Sequence, residues 1–70
     1  MPHIAVTMVP GRDRKTKQVL AEKLCSTLIE TLGVESKFVS VSVEEIEMKD
    51  WENSMRRIPD NAMIINPNKQ

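Results

Sequence analysis

The sequence predicts an α+β fold: a βαβ unit with a two-stranded parallel sheet, one long helix, and a short C-terminal helix and tail. Three observations lead there. Residues 3–9 alternate apolar and polar side chains, residues 20–32 carry an apolar stripe repeating every four residues, and residues 39–43 alternate again. Periods of two, then near 3.6, then two mark strand, helix, strand. Two strands joined through one helix imply a parallel pair with a right-handed crossover.

The first strand rests on Ile4, Val6 and Met8, which alternate with His3, Ala5 and Thr7. Pro10-Gly11 ends it. The long helix is expected over 13–32, with Asp13 capping its free N–H groups. Leu20, Leu24, Leu28 and Leu32, with Ala21, Cys25 and Ile29 beside them, give a face broad enough to pack on a sheet. Gly33 stands where a left-handed residue ends a helix. A second strand is expected near 37–46, with Val39, Val41 and Val43 on one face and Phe38, Ser40, Ser42 and Glu44 on the other. Trp51, Met55 and Ile58 stand at i, i+4 and i+7, the spacing of a short helix. Pro59-Asp60-Asn61 reads as a turn, Ala62-Met63-Ile64-Ile65 as a short strand or an arm onto a neighbouring subunit, and 66–70 as a fraying end.

Length and composition narrow the function classes. Seventy residues and 8.0 kDa suit one domain over 1–70. No apolar run approaches the roughly 20 residues of a membrane span, so no membrane role is expected. No basic-then-apolar leader follows Met1, and the chain has a single cysteine, Cys25, which points to a reducing cytoplasm. Ten Lys and Arg balance ten Asp and Glu, which argues against a general nucleic-acid binder. A domain this small buries only about 60% of its unfolded surface. Disulfides and cysteine-based metal sites are excluded as reinforcement, which leaves homo-oligomerisation. Each two-stranded sheet has a face its own helix leaves free, so sheets are expected to pair between subunits.

Pro2 is the residue that points to chemistry. With Met1 removed, which a small second residue generally permits, the chain starts with a secondary amine. An α-amino group titrates closer to neutrality than any lysine, and burial or nearby cations disfavour its charged form further. Such an amine suits general acid–base work, and the ring fixes its direction. With Met1 attached, the same nitrogen is an amide without a basic lone pair.

Around Pro2 the chain reads Met-Pro-His-Ile-Ala-Val-Thr-Met-Val-Pro-Gly-Arg, then an amphipathic helix, then Val-Ser-Val-Ser-Val-Glu-Glu, then Trp51. Over about residues 2–52 this resembles the 4-oxalocrotonate tautomerase family. The resemblance implies a cofactor-independent keto-enol tautomerase, an isomerase acting on a small 2-oxo or enol carboxylate. It implies that Pro2 is the catalytic amino-terminal proline, that Arg12 holds the substrate carboxylate and keeps the nearby amine neutral, and that Trp51 forms an apolar wall. A second family arginine falls, counting from the proline, on Ser40, which offers one hydrogen bond and no charge. A monoacid such as a phenylpyruvate-like enol fits that set better than a diacid. Proline followed by histidine, a tryptophan and a longer tail look more like the dimeric bacterial subgroup than the hexameric one.

Other features have plainer readings. His3 is either a substrate contact or, more plainly, a satisfied edge-strand histidine, and Cys25 reads as a packed small hydrophobe. Arg12, Arg14, Lys15 and Lys17 form either a solvated face or a patch steering anions. Glu44, Glu45, Glu47, Asp50 and Glu52 have no histidine nearby for a metal site and suit solubility or subunit pairing, while Arg56 and Arg57 are candidates for the missing second cation. Two other classes compete with the enzyme. One is a non-catalytic oligomeric protein of the same fold, used for binding or scaffolding. The other is a small anion-binding or nucleic-acid-binding module built on 12–17.

Overall fold

The computed structural model describes residues 1–67; Asn68, Lys69 and Gln70, and with them part of the expected fraying end, lie outside the described residues. The order is β1 (His3–Met8), α1 (Arg14–Leu32), β2 (Ser40–Glu45) and α2 (Trp51–Met55), with single 3₁₀ turns at Ser36–Phe38, Met48–Asp50 and Asp60–Ala62. The strands pair in parallel, His3 opposite Ser40 through Met8 opposite Glu45. This is the expected βαβ unit with its two-stranded sheet, long helix and short C-terminal helix.

α1 forms because its ends are chemically marked. The Asp13 side chain accepts the Thr16 N–H at 2.8 Å, and Gly33, at φ 68°, donates its N–H to Ile29. The hydrogen bond from the Thr16 side chain, and then that from its backbone, hold the Asp13 carboxyl below the usual carboxylate range. A lowered native value means the cap's contribution is complete above the ordinary carboxylate pKa and fades as pH falls through the lowered one. Asp13→Ala is therefore expected to lower the thermal midpoint at pH 7, with the difference from wild type closing in acid. Asp13→Asn, which still accepts the N–H, should retain most of the midpoint. Circular dichroism melts across pH check both.

The second strand is shorter than expected. Lys37, Phe38 and Val39 do not join the sheet; Ser36–Phe38 coil into a 3₁₀ turn, with the Lys37 ammonium 5.2 Å from the Phe38 ring centre. The reason lies across the sheet. The ladder begins where the Ser40 N–H meets the Pro2 carbonyl at 3.3 Å, and Pro2 has no N–H to extend it. At the other end the Ile46 N–H still reaches Met8, after which Pro10 stops pairing. The helix expected through Ile58 ends at Met55, and 62–65 form no strand: Ala62 closes the last 3₁₀ turn, and Ile64 and Ile65 stand 85% exposed.

One sheet face carries Ile4, Val6, Met8, Val41 and Val43, all half-buried, under the helix. The other carries His3, Ala5, Ser40, Ser42 and Glu44, all exposed, with Thr7 partly covered. α1 packs chiefly against β2, and the apolar rows of both strands remain only half-buried. The Lys17 ammonium meets the Glu45 carboxylate at 3.0 Å and ties the start of α1 to the carboxyl end of the sheet.

Not one described residue is fully withdrawn from solvent. The chain exposes 6052 Å², where a monomeric protein of this mass exposes about 4,450 Å². Its radius of gyration is 13.7 Å, against about 11 Å for a compact chain of this length. No helix among the described residues is long and apolar enough to cross a membrane.

Candidate active site

The four residues singled out from the sequence fall into two groups at opposite ends of the sheet. Pro2 and Ser40 meet at the amino end, where the Ser40 N–H donates to the Pro2 carbonyl. Pro2 is half-buried, and Met1 ahead of it is 96% exposed. Arg12 follows the turn at Gly11, immediately before the helix start that Lys17 anchors to Glu45 at the carboxyl end. Trp51 opens α2 at that same end, with Asp50 and Asn53 lining a hollow beside Glu45 and Ile46. A strand rises about 3.3 Å per residue, so β1 holds Pro2 and Arg12 on the order of 20 Å apart. Within one chain Arg12 thus lies far from Pro2.

The amino-end group includes residues that the sequence reading did not link. His3 Nδ1 lies 2.6 Å from Ser40 Oγ, and Nε2 lies 2.9 Å from Ser42 Oγ. Both ring nitrogens have partners, as expected of a satisfied strand histidine. Register explains the cluster. His3 is opposite Ser40, and Ser42, two residues on, shares its face. Alternation placed all three side chains on one face, but only the ladder gives their alignment. A serine hydroxyl donates one hydrogen and accepts two. With the ring hydrogen on Nδ1, Ser40 Oγ accepts it and keeps its own hydrogen for another acceptor.

At the carboxyl end Arg12, Arg14 and Lys15 are exposed, whereas Lys17 is committed to Glu45. Trp51 is half-buried beside a groove of about 650 Å³ that Met55, Ile58 and Met63 also line. The Trp51, Met55, Ile58 spacing predicts that face, whereas Met63 falls in the segment expected as a short strand or an arm onto a neighbouring subunit. Arg56 hydrogen-bonds Asn53 and lies 3.7 Å from Glu52, while Arg57 lines the acidic hollow beside Glu47 and Asp50. Neither reaches the amino end of its own sheet. Among the described residues no group of three or more His, Cys, Asp or Glu side chains could hold a metal ion.

No family model matches the chain, but individual relatives do. A probable tautomerase of Xylella fastidiosa (strain 9a5c) is 47% identical over 51 residues, 73% of this chain and 62% of that protein. The chain thus spans less than two thirds of that relative's length. A probable tautomerase of Bacillus cereus is 32% identical over 60 residues, covering 86% of this chain and 98% of the relative. The 2-hydroxymuconate tautomerase of Bacillus subtilis (strain 168) is 30% identical over 60 residues, covering 86% and 97%. Among solved structures, TomN, a 4-oxalocrotonate tautomerase homologue in the tomaymycin biosynthetic pathway, superposes with a TM-score of 0.68 at 32% identity. That match covers 84% of this chain and 100% of TomN. With the prolyl start, the Gly11-Arg12 turn and the parallel βαβ unit, these matches establish that the chain belongs to the 4-oxalocrotonate tautomerase family.

Proposed function

We propose that this protein is a keto-enol tautomerase for small 2-oxo or enol carboxylates, with Pro2 as its acid–base group in a site shared between copies. The observation that carries the reading is the division of the candidate residues, Pro2 and Ser40 at one end of the sheet and Arg12 and Trp51 at the other. An isologous pair is self-complementary about a two-fold axis. If two β1 edges run antiparallel across that axis, the amino end of each strand meets the carboxyl end of its partner. The apolar row of β1, Ile4, Val6 and Met8, is only half-buried within one chain, which supports pairing at this edge.

In that arrangement the Arg12 guanidinium of one copy takes the substrate carboxylate bidentately beside Pro2 of the other. Its positive charge disfavours a protonated amine and keeps Pro2, once Met1 is gone, available as a base. The Pro2 nitrogen accepts the enol hydroxyl proton as the C–O bond becomes C=O. It then returns the proton to the neighbouring carbon, where a C–H bond replaces the C=C π bond. Only a proton changes place, so the scheme calls for no cofactor. With the His3 ring hydrogen on Nδ1, the Ser40 hydroxyl accepts from it and donates to the 2-oxo oxygen. One arginine, a serine and a tryptophan wall suit a monoacid with a ring better than a diacid.

The test is ketonisation of phenylenolpyruvate by the processed protein. Positioned acid–base groups contribute about 10²–10⁴-fold, so Pro2→Ala should lower kcat/KM by about 10². Equal rates for the two proteins, or an intact mass showing Met1 retained in an active wild type, would remove Pro2 from the mechanism and favour the non-catalytic alternative.

A further inference from the structure

We infer that the groove between α2 and the 58–67 tail is a subsite for the uncharged, ring-bearing end of a monoacid, and that Glu52 and Asp60 exclude a second carboxylate from it. The inference rests on the tautomerase reading and adds to it what decides between substrates. The groove's volume, about 650 Å³, lies within the roughly 300–1,000 Å³ of small-molecule sites. Its apolar lining is Trp51, Met55, Ile58 and Met63. A flat ring stacks on an indole, and a thioether adapts to an aromatic edge. Met63 comes from the tail, so the tail supplies part of the wall. Sixty matched residues make up 98% and 97% of the two Bacillus relatives, and both are therefore shorter than this chain.

The charged lining sets the selectivity. Glu52 and Asp60 bring two carboxylates to the groove against the single guanidinium of Arg56. Arg56 is already engaged, with Glu52 at 3.7 Å and with Asn53. Among the described residues lining the groove the balance is one net negative charge, so a ligand's second carboxylate would enter a field of its own sign, and like-charge contact is how sites reject wrong partners. A neutral ring meets no such penalty.

Trp51 is the only tryptophan of the chain, so its fluorescence reports on the groove directly. The probes are 3-phenylpropionate and adipate, neither of which can be ketonised. The expected result is a saturable Trp51 response to 3-phenylpropionate and a response to adipate at least about tenfold weaker. Met63→Asp should weaken 3-phenylpropionate about tenfold, the scale of one altered apolar contact. The Glu52→Gln, Asp60→Asn double variant should strengthen adipate about tenfold with 3-phenylpropionate unchanged, a gain that misfolding cannot imitate. Equal affinity for the two probes in wild type, or no gain for adipate in the double variant, would overturn the inference. So would a Trp51 silent to both probes and shielded from iodide, which would assign the groove to a second copy of the chain. Ring selectivity in a protein that fails to ketonise phenylenolpyruvate would refute the catalytic reading and leave the subsite standing. Ketonisation without ring selectivity would do the reverse.

Discussion

Co-refolding an equal mixture of Pro2→Ala and Arg12→Ala chains should restore about a quarter of wild-type activity, although each variant alone is nearly inactive. On the proposed reading, each shared site draws its proline from one chain and its arginine from another. With random assortment, half the sites receive an intact proline, and half of those receive an intact arginine. Alone, Pro2→Ala exchanges the ring-fixed secondary amine for a freely rotating primary one. Arg12→Ala loses a charge-assisted pair of hydrogen bonds, about 1.5–3 kcal/mol, or roughly 10–100-fold in kcat/KM. Recovery on mixing cannot arise if a single chain supplies both residues, because every site would then carry a defect. The rate of phenylenolpyruvate ketonisation against mixing ratio is the measurement. A flat line at the average of the two variants would place the whole site within one protomer.

Unfolding should depend strongly on protein concentration. The isolated chain withdraws no described residue completely from water and exposes about 1,600 Å² more than a monomer of its mass. A standard interface buries about 800 Å² per partner, so the surplus is large enough for an obligate assembly. Linkage to association makes the melting temperature fall on dilution. For a dimer of 70-residue chains, each tenfold dilution removes about 1.4 kcal/mol. At about 2.1 cal/mol/K of unfolding entropy per residue, that is about 5 °C. Calorimetry over a hundredfold concentration range, with sedimentation velocity alongside, tests this. A midpoint indifferent to dilution would show that the protomer stands alone.

The parts of the fold that were legible in the sequence are those made by neighbours in the chain. α1 was bounded correctly because Asp13 reaches only to Thr16 and Gly33 only back to Ile29. Both determinants lie within a helical turn of the residue they fix. The start of β2 was not legible, because it is set by a proline 38 positions earlier that cannot donate to the ladder. The strand alternative for the tail fails for a related reason. Met63, Ile64 and Ile65 form an apolar run like a strand, but no strand edge in this chain pairs with them. The candidate site residues stand out singly in the sequence, but their arrangement does not. Spacing finds Pro2 and Arg12, and the strand between them, His3–Met8, carries them to opposite ends of the sheet.

The register also limits how length can vary in this protein. His3 and Ser40 are 37 positions apart, and the parallel ladder repeats that offset at every pair. Lengthening α1 by one residue would rotate everything beyond it by about 100°. Unless a loop absorbed the shift, Val41 and Val43 would exchange faces with Ser40, Ser42 and Glu44. Tolerated insertions and deletions should therefore cluster in 9–13 and 33–39, whereas the nineteen residues of α1 act as a fixed spacer whose length cannot drift.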